Sequence, residues 1–133
     1  MMFECIKNHN APQIHAFIKH LSDVLNRKDI VIADDGGHLT WTIQAFKVKY
    51  GQKLFSAFGN SPMGYSLPAS IGASVAKSNS RIICIDGDGS FNMTLGDLKT
   101  IAEYNLPIKI AIMNNNSQMM VTVWEKLFFN KRY

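Results

Sequence analysis

Cysteine is scarce in this chain. Cys5 and Cys84 are the only two, too few for a disulfide framework. Cys84 lies inside the apolar run Ile82-Ile83-Cys84-Ile85, which suits a small core residue in a reducing compartment. Long apolar runs are missing as well. None approaches the ~20 residues needed to cross a bilayer, which excludes a membrane-spanning helix. The N-terminal stretch Met1-Met2-Phe3-Glu4-Cys5-Ile6-Lys7 has no signal-peptide pattern, so the expected location is cytoplasmic. Charge of one sign is not concentrated anywhere. The formal net charge is +4, yet the basic residues are scattered, with nothing tighter than pairs such as Lys131-Arg132. A dispersed charge of this kind is a solvated surface, and no nucleic-acid partner is expected. Internal repeats, low-complexity segments and linkers are absent.

What remains is 133 residues, 47% hydrophobic and 18% charged. That is long enough to bury a core and too apolar for a disordered chain. Residues 1–133 are read as a single domain.

Pro12 to Leu25 reads as an amphipathic helix, with Ile14, Phe17, Ile18, Leu21, Val24 and Leu25 at helical spacing and Pro12 in the first turn. His15 and His20 are poorly placed to share a face and are read as surface residues rather than joint metal ligands. Ile30 to Ala33 is a buried strand that runs into the tight loop Asp34-Asp35-Gly36-Gly37-His38. Thr40 to Tyr50 reads as helical, Leu54 to Ala57 as a weaker strand, Gly59 to Gly64 as a loop and Leu67 to Ala76 as a small-residue helix. Arg81 to Asp86 is the clearest strand. Leu95 to Tyr104 is a helix that Pro107 prevents from continuing, Ile108 to Met113 a second buried strand, and Gln118 to Phe128 a last helix.

Strands alternating with helices predict an α/β fold, a parallel sheet with helices on both faces. Four parallel strands are expected, near residues 30–34, 53–57, 81–86 and 108–114. Ligands in such sheets bind at the carboxyl ends of the strands. The loops at 34–38, 59–64, 87–92 and 114–117 all follow strands, so all four are expected to open on one edge and to form one site.

Two of these loops hold residue types that can bind a metal and a phosphate. Asp86-Gly87-Asp88-Gly89-Ser90-Phe91-Asn92-Met93 follows a strand, and Asn114-Asn115 follows the next; Asp88 and Asn115 are 27 positions apart. A hard divalent cation prefers oxygen ligands and often bridges protein to phosphate. One carboxylate and one amide oxygen can hold such an ion, while backbone N–H groups receive a diphosphate. Glycines let backbone approach a phosphate closely, and Ser90 can donate a hydrogen bond. Other readings of the first loop stay open. Gly-Asp-Gly is also an ordinary turn. A dinucleotide-binding loop is possible too, although Asn92 stands where its third glycine would fall.

The segment Gly87–Arg132 resembles the acetolactate synthase branch of the thiamine-diphosphate enzymes. The resemblance rests on Gly87 to Leu95, on Asn105-Leu106-Pro107-Ile108-Lys109-Ile110, on Asn114-Asn115, and on Met120-Val121-Thr122-Val123-Trp124-Glu125-Lys126-Leu127-Phe128-Phe129-Asn130-Lys131-Arg132-Tyr133. It implies a thiamine-diphosphate-binding fold, with Gly87, Asp88, Gly89, Ser90 and Asn115 at the diphosphate. It also implies Mg²⁺ bound by Asp88, the Asn115 side chain and the Ser117 carbonyl, with two diphosphate oxygens and a water completing the octahedron. Ser61-Pro62-Met63-Gly64-Tyr65-Ser66-Leu67-Pro68-Ala69 looks like the family's second cofactor segment, in which Ser61 and Met63 contact the cofactor and the Met packs beneath the bent thiamine. Asp35-Gly36-Gly37-His38-Leu39-Thr40-Trp41 is similar to the first diphosphate loop. There Gly36 and His38 match, with His38 as a diphosphate donor and Gly37 as a backbone contact. Asp35 and Gly37 replace an apolar residue and a glutamine, which leaves the substrate open. Met120 and Trp124, four apart on one helix face, correspond to the family's substrate entrance. Asn116 and Met119 depart from the commoner choices and receive no role.

The resemblance spans roughly residues 11–133 and only part of such an enzyme. It implies a partner, either a pyrimidine-binding domain of the same enzyme or a second subunit, that supplies the cofactor-activating glutamate in a homo- or hetero-oligomer. Glu4, Glu103 and Glu125 do not fall in the family's cofactor-activating pattern, so no catalytic residue is assigned. FAD belongs to a middle domain of the full-length relatives and has no segment here. The cofactor-binding domain is expected to be C-terminally truncated, ending soon after Lys131-Arg132. The expected activity of the whole enzyme is decarboxylation of pyruvate and carboligation to a second 2-ketoacid, in branched-chain amino-acid biosynthesis. Three readings stand: a fragment of such an enzyme, one component of a split 2-ketoacid decarboxylase, or a non-catalytic remnant that acts by binding a partner.

Overall fold

Alternating buried and half-buried apolar runs produce a sheet covered on both sides. A computed structural model describes residues 3–7 and 11–132, with side chains from Ile14 onward. The elements are β1 (Phe3–Lys7), α1 (Ala11–Val24), β2 (Ile30–Ala33), α2 (Gly37–Ala45), β3 (Lys53–Phe55), α3 (Ser66–Ala76), β4 (Ile82–Gly87), α4 (Asp88–Phe91), a 3-10 turn (Asn92–Thr94), α5 (Asp97–Glu103), β5 (Ile108–Asn114) and α6 (Met119–Phe128).

The strands form one parallel sheet in the order β1-β5-β4-β2-β3. β4 sits at its centre and every one of its residues is buried, which explains its unbroken apolar run. Side chains alternate across the sheet. Val31, Ala33, Ile83, Ile85, Ala111 and Met113 pack with Ile14, Ile18, Leu25, Leu39 and Phe46 from the α1 and α2 side. Ile30, Ile32, Ile82, Cys84, Ile108 and Ile110 pack with Leu67, Phe91 and Ile101 on the opposite side. Both faces are therefore covered by helices, as the sequence pattern requires. Cys84 is fully buried, and burial raises its thiol pKa to about 12.

The structure departs from the sequence pattern at several places. β1 adds a fifth strand, paired with β5, where the sequence pattern gave four. α2 ends at Ala45 rather than Tyr50. Beyond Phe46 the backbone of Lys47 exchanges hydrogen bonds with the Ser22 hydroxyl at 2.9 and 3.1 Å, and Lys49 Nζ reaches the Asp23 carbonyl at 2.9 Å. The chain there bonds to the end of α1 instead of continuing its own helix. β3 stops at Phe55, and the helix expected from Leu95 is preceded by the short α4 and the 3-10 turn. Val24 is exposed, although its spacing matches the apolar stripe of α1.

α6 differs from the other long helices. None of its residues is buried, and Met120, Val121, Val123, Trp124, Leu127 and Phe128 are all exposed. Trp124 and Phe128 pack on each other with ring centroids 4.4 Å apart.

Candidate functional site

The carboxyl ends of β2, β4 and β5 bring three loops together, and the loop after β3 joins them from the side. One cleft runs between them. Its lining includes Gly36, Gly37, His38, Met63, Gly87, Asp88, Gly89, Ser90, Asn115, Ser117 and Met120. Residues from Asp35 to Val121 thus face one space, as expected for a parallel sheet. Two of the proposed site residues lie elsewhere. Ser61 does not line the cleft. Trp124 lines a neighbouring hollow with Met120, Val121, Glu125, Phe129 and Arg132.

His38, in the first turn of α2, is buried. Its ring rests on two glycines. A Cβ on Gly36 would stand 2.8 Å from His38 Cε1, and one on Gly87 would stand 3.0 Å from both Cε1 and Nδ1. Gly36 also has φ +140°, a conformation that side chains rarely adopt. Burial lowers the imidazole pKa against the pull of Asp34, Asp35 and Asp88, and a bond to the Asp34 backbone also favours the charged ring. Nε2 is buried and has no hydrogen-bond partner. Such a nitrogen is free to bond a water or a ligand atom.

Asp88 opens α4, and its Oδ1 accepts from the Asn115 backbone N–H at 3.3 Å. Asn115 Oδ1 in turn accepts from Ser117 N–H at 3.0 Å, and Asn114 Oδ1 accepts from Asn116 N–H at 2.9 Å. Asn116 takes φ +55° in this turn. The Ser117 and Thr122 hydroxyls, 2.8 Å apart, tie the turn to α6. The three proposed metal ligands all line the cleft.

The Ser90 hydroxyl donates to Asp86 Oδ1. Its backbone N–H, rather than its hydroxyl, is what remains for an anion in the cleft. On the opposite wall Met63 reaches across: its Cε lies 3.7 Å from where a Cβ on Gly89 would stand. Asp35, Trp41, Met113, Gln118, Met119 and Val121 complete the lining.

Behind the cleft lies a group that sequence reasoning missed. Asp34, Ser66 and Asp86 are buried and do not line the cleft. One ligand atom each from Asp34, His38 and Asp86 lies within 4.8 Å of the others, a grouping that could hold a metal ion. Yet each of the four carboxylate oxygens already accepts a protein donor. Asp34 Oδ1 takes the N–H groups of Asp35 and Gly64 at 2.9 Å, and Oδ2 takes that of Ser66 at 2.5 Å. Asp86 Oδ1 takes Gly87 N–H at 2.8 Å as well as Ser90, and Oδ2 takes the Ser66 hydroxyl at 2.7 Å. Burial, aided by Asp34 nearby, raises the Asp86 pKa to about 6 despite these donors. The only sequence signal for the group was an aspartate directly after or at the end of each of two apolar strands.

The arrangement fits a metal-bound diphosphate. Asp88, Asn115 and Ser117 offer only oxygen ligands, which suits a hard cation. Glycines at 36 and 87 make room for the His38 ring, whose Nε2 has an unmet bond, and Gly89 presents bare backbone between Met63 and Gln118. No helix among the described residues is long and apolar enough to cross a membrane.

Comparison with known proteins agrees. Residues 34–133 match the family described as thiamine pyrophosphate enzyme, C-terminal TPP binding domain. The mitochondrial acetolactate synthase catalytic subunit of Aspergillus candidus is 37% identical over 134 residues, covering 98% of this chain and 19% of that protein. The acetolactate synthase large subunit of Pyropia yezoensis is 51% identical over 100 residues, covering 75% of this chain and 17% of that protein. The large subunit of acetolactate synthase isozyme 2 of Escherichia coli K12 is 37% identical over 128 residues, 95% of this chain and 23% of that protein. The chain therefore spans about a fifth of the length of these curated relatives. Its matched region and its relatives place it together: the chain belongs to the thiamine pyrophosphate enzymes, through their C-terminal thiamine-pyrophosphate-binding domain.

Proposed function

We propose that residues 1–133 form one thiamine-diphosphate- and Mg²⁺-binding domain of an acetolactate synthase-like enzyme, inert until a partner domain completes the site. The placing of Asp88, Asn115 and the unpartnered His38 Nε2 in one cleft, with the Asn115 backbone N–H bonded to Asp88 Oδ1 at 3.3 Å, carries this reading. In it, Asp88, the Asn115 side chain and the Ser117 carbonyl hold Mg²⁺. The Gly89 and Ser90 N–H groups receive the diphosphate, Gly87, whose own N–H is held by Asp86, contributes only its lack of a side chain, and Gly36 and Gly37 lie on the other side. His38 Nε2 bonds a diphosphate oxygen, and that anion favours the charged ring against its burial. When bound, the cofactor supplies a nucleophilic ring carbon and an electron sink for decarboxylation of a 2-ketoacid such as pyruvate. Met63 orients the cofactor from below, a positioning effect. Met120, which lines both the cleft and the neighbouring hollow that Trp124 borders, stands at the substrate entrance, and Asp35 on the cleft wall disfavours a second anion close by.

Two observations support dependence on a partner. Among the described residues, no glutamate lines the cleft, and the group that protonates the cofactor's pyrimidine ring is expected from the partner domain. The exposed apolar residues of α6 also border the entrance, and exposed patches of this kind mark interaction surfaces. The partner is a pyrimidine-binding domain, from the same enzyme or from a second subunit. The test incubates the chain with pyruvate, Mg²⁺ and thiamine diphosphate while carbon dioxide and acetolactate are followed. No steady turnover is expected until a protein carrying such a domain is added. Steady turnover by the chain alone contradicts the reading.

A further inference from the structure

The loop that carries Met63 follows β3, the edge strand of the sheet. β3 ends at Phe55, and the chain then crosses to α3 at Ser66. The backbone turns through positive φ at Ser61 (43°) and at Gly64 (81°). At its far end the loop is fastened by Asp34, which accepts from Gly64 N–H and Ser66 N–H. Asp34 is itself fixed, because its own N–H donates to the Ile85 carbonyl of β4 at 2.9 Å.

Ser66 then makes a second connection. Its hydroxyl donates to Asp86 Oδ2 at 2.7 Å and accepts from the Cys84 thiol at 3.2 Å. Through its other oxygen, Asp86 holds Gly87 N–H and the Ser90 hydroxyl. One buried serine therefore joins the Met63 loop to the Gly87–Ser90 turn, and Asp34 joins both to the loop that bears His38. The joint lies behind the cleft and none of its three members lines it.

We infer that Ser66 is a positioning residue. Clamped between Asp34 and Asp86, it fixes Met63 against the glycine turn, and affinity for thiamine diphosphate depends on that placement. The cofactor half of the inference rests on the function proposed above. Serine suits the position because the clamp needs a backbone N–H, a hydroxyl donor and a hydroxyl acceptor at one buried residue. Alanine keeps the first and loses the other two.

The test has two arms, with wild type, Ser66→Ala and the hydroxyl-retaining Ser66→Thr. The first measures amide hydrogen exchange in the chain without ligand. Ser66→Ala should speed exchange across residues 61–65 by about tenfold or more relative to the amides of β2 and β4. Ser66→Thr should restore slow exchange. Asp34→Asn, which removes one acceptor of the clamp, should open the same loop and serves if Ser66→Ala fails to fold. Unchanged loop exchange, or equal acceleration of loop and strands, overturns the clamp.

The second arm compares Mg²⁺ with inorganic pyrophosphate and Mg²⁺ with thiamine diphosphate, by calorimetry. Pyrophosphate does not need Met63. Ser66→Ala should weaken thiamine diphosphate about tenfold or more and change pyrophosphate by only about twofold. An equal loss for both ligands, or no loss for either, overturns the positioning role. A wild-type chain that takes neither ligand overturns the proposed function and with it the cofactor half of the inference, while the exchange measurements still decide the clamp.

Discussion

Met119 fills the space that a side chain at Gly37 would need: its Cε lies 2.5 Å from where a Cβ on Gly37 would stand. The Trp41 ring is the next neighbour, at 3.3 Å. α6 buries no residue, and this contact with α2 helps to anchor its first turn. The sequence marked both positions as departures from the family pattern. The structure shows that they belong together.

Gly37→Ala should therefore destabilise the chain by about 1 kcal/mol, since overfilling a packed contact costs about 1–3 kcal/mol and the flexible Met119 side chain can yield. Met119→Ala in the same chain should relieve most of that cost. Urea unfolding of the two single variants and the double variant checks this. Additive effects would show that the contact is not shared.

Gly36→Ala should be worse. It strains a backbone at φ +140° and drives a methyl into the His38 ring. The expected loss is about 1–3 kcal/mol, readable as a melting temperature lower by several degrees. A variant as stable as wild type would mean that His38 does not hold the seat described.

Trp124→Ala should change stability by less than about 0.5 kcal/mol. The residue is 59% exposed, and its ring contact is with Phe128 of the same helix. A loss above ~2 kcal/mol in thermal unfolding would place Trp124 in the core.

Asp86 gives stability a pH dependence of unusual sign. Burial raises its folded pKa to about 6 from an ordinary value of 3.8. Between those values the folded chain holds a proton that the unfolded chain has released. The Asp86 contribution therefore falls as pH rises from about 4 to about 6 and is level above that. Urea midpoints at pH 4.5 and pH 7 should show this decline in wild type and not in Asp86→Asn. The same decline in both would assign it to other groups.

Much of the architecture was legible because it follows from short-range pattern. β4 and β5 are apolar runs bounded by turn residues, and parallel pairing places the loops after them on one edge without further information. Asp88 and Asn115 could be paired for that reason. The clamp of Asp34, Ser66 and Asp86 was not legible. Its members are ordinary in composition, and their roles come from buried hydrogen bonds between segments up to 32 positions apart. The end of α2 was missed for a similar cause. Apolar residues through Val48 continue a helical reading, and only the bonds from Ser22 to Lys47 show why the chain leaves it. Trp124 was placed by resemblance, and its distance from the main cleft depends on how α6 lies, which spacing does not determine.

The central claim is that Asp88 and Asn115 hold a cation that fastens a diphosphate in this cleft. Calorimetry of the chain with thiamine diphosphate, with and without Mg²⁺, in wild type and Asp88→Ala, tests it most directly. The account predicts binding only in the presence of Mg²⁺ and none in the variant. Binding that ignores Mg²⁺, or equal affinity in Asp88→Ala, would contradict it.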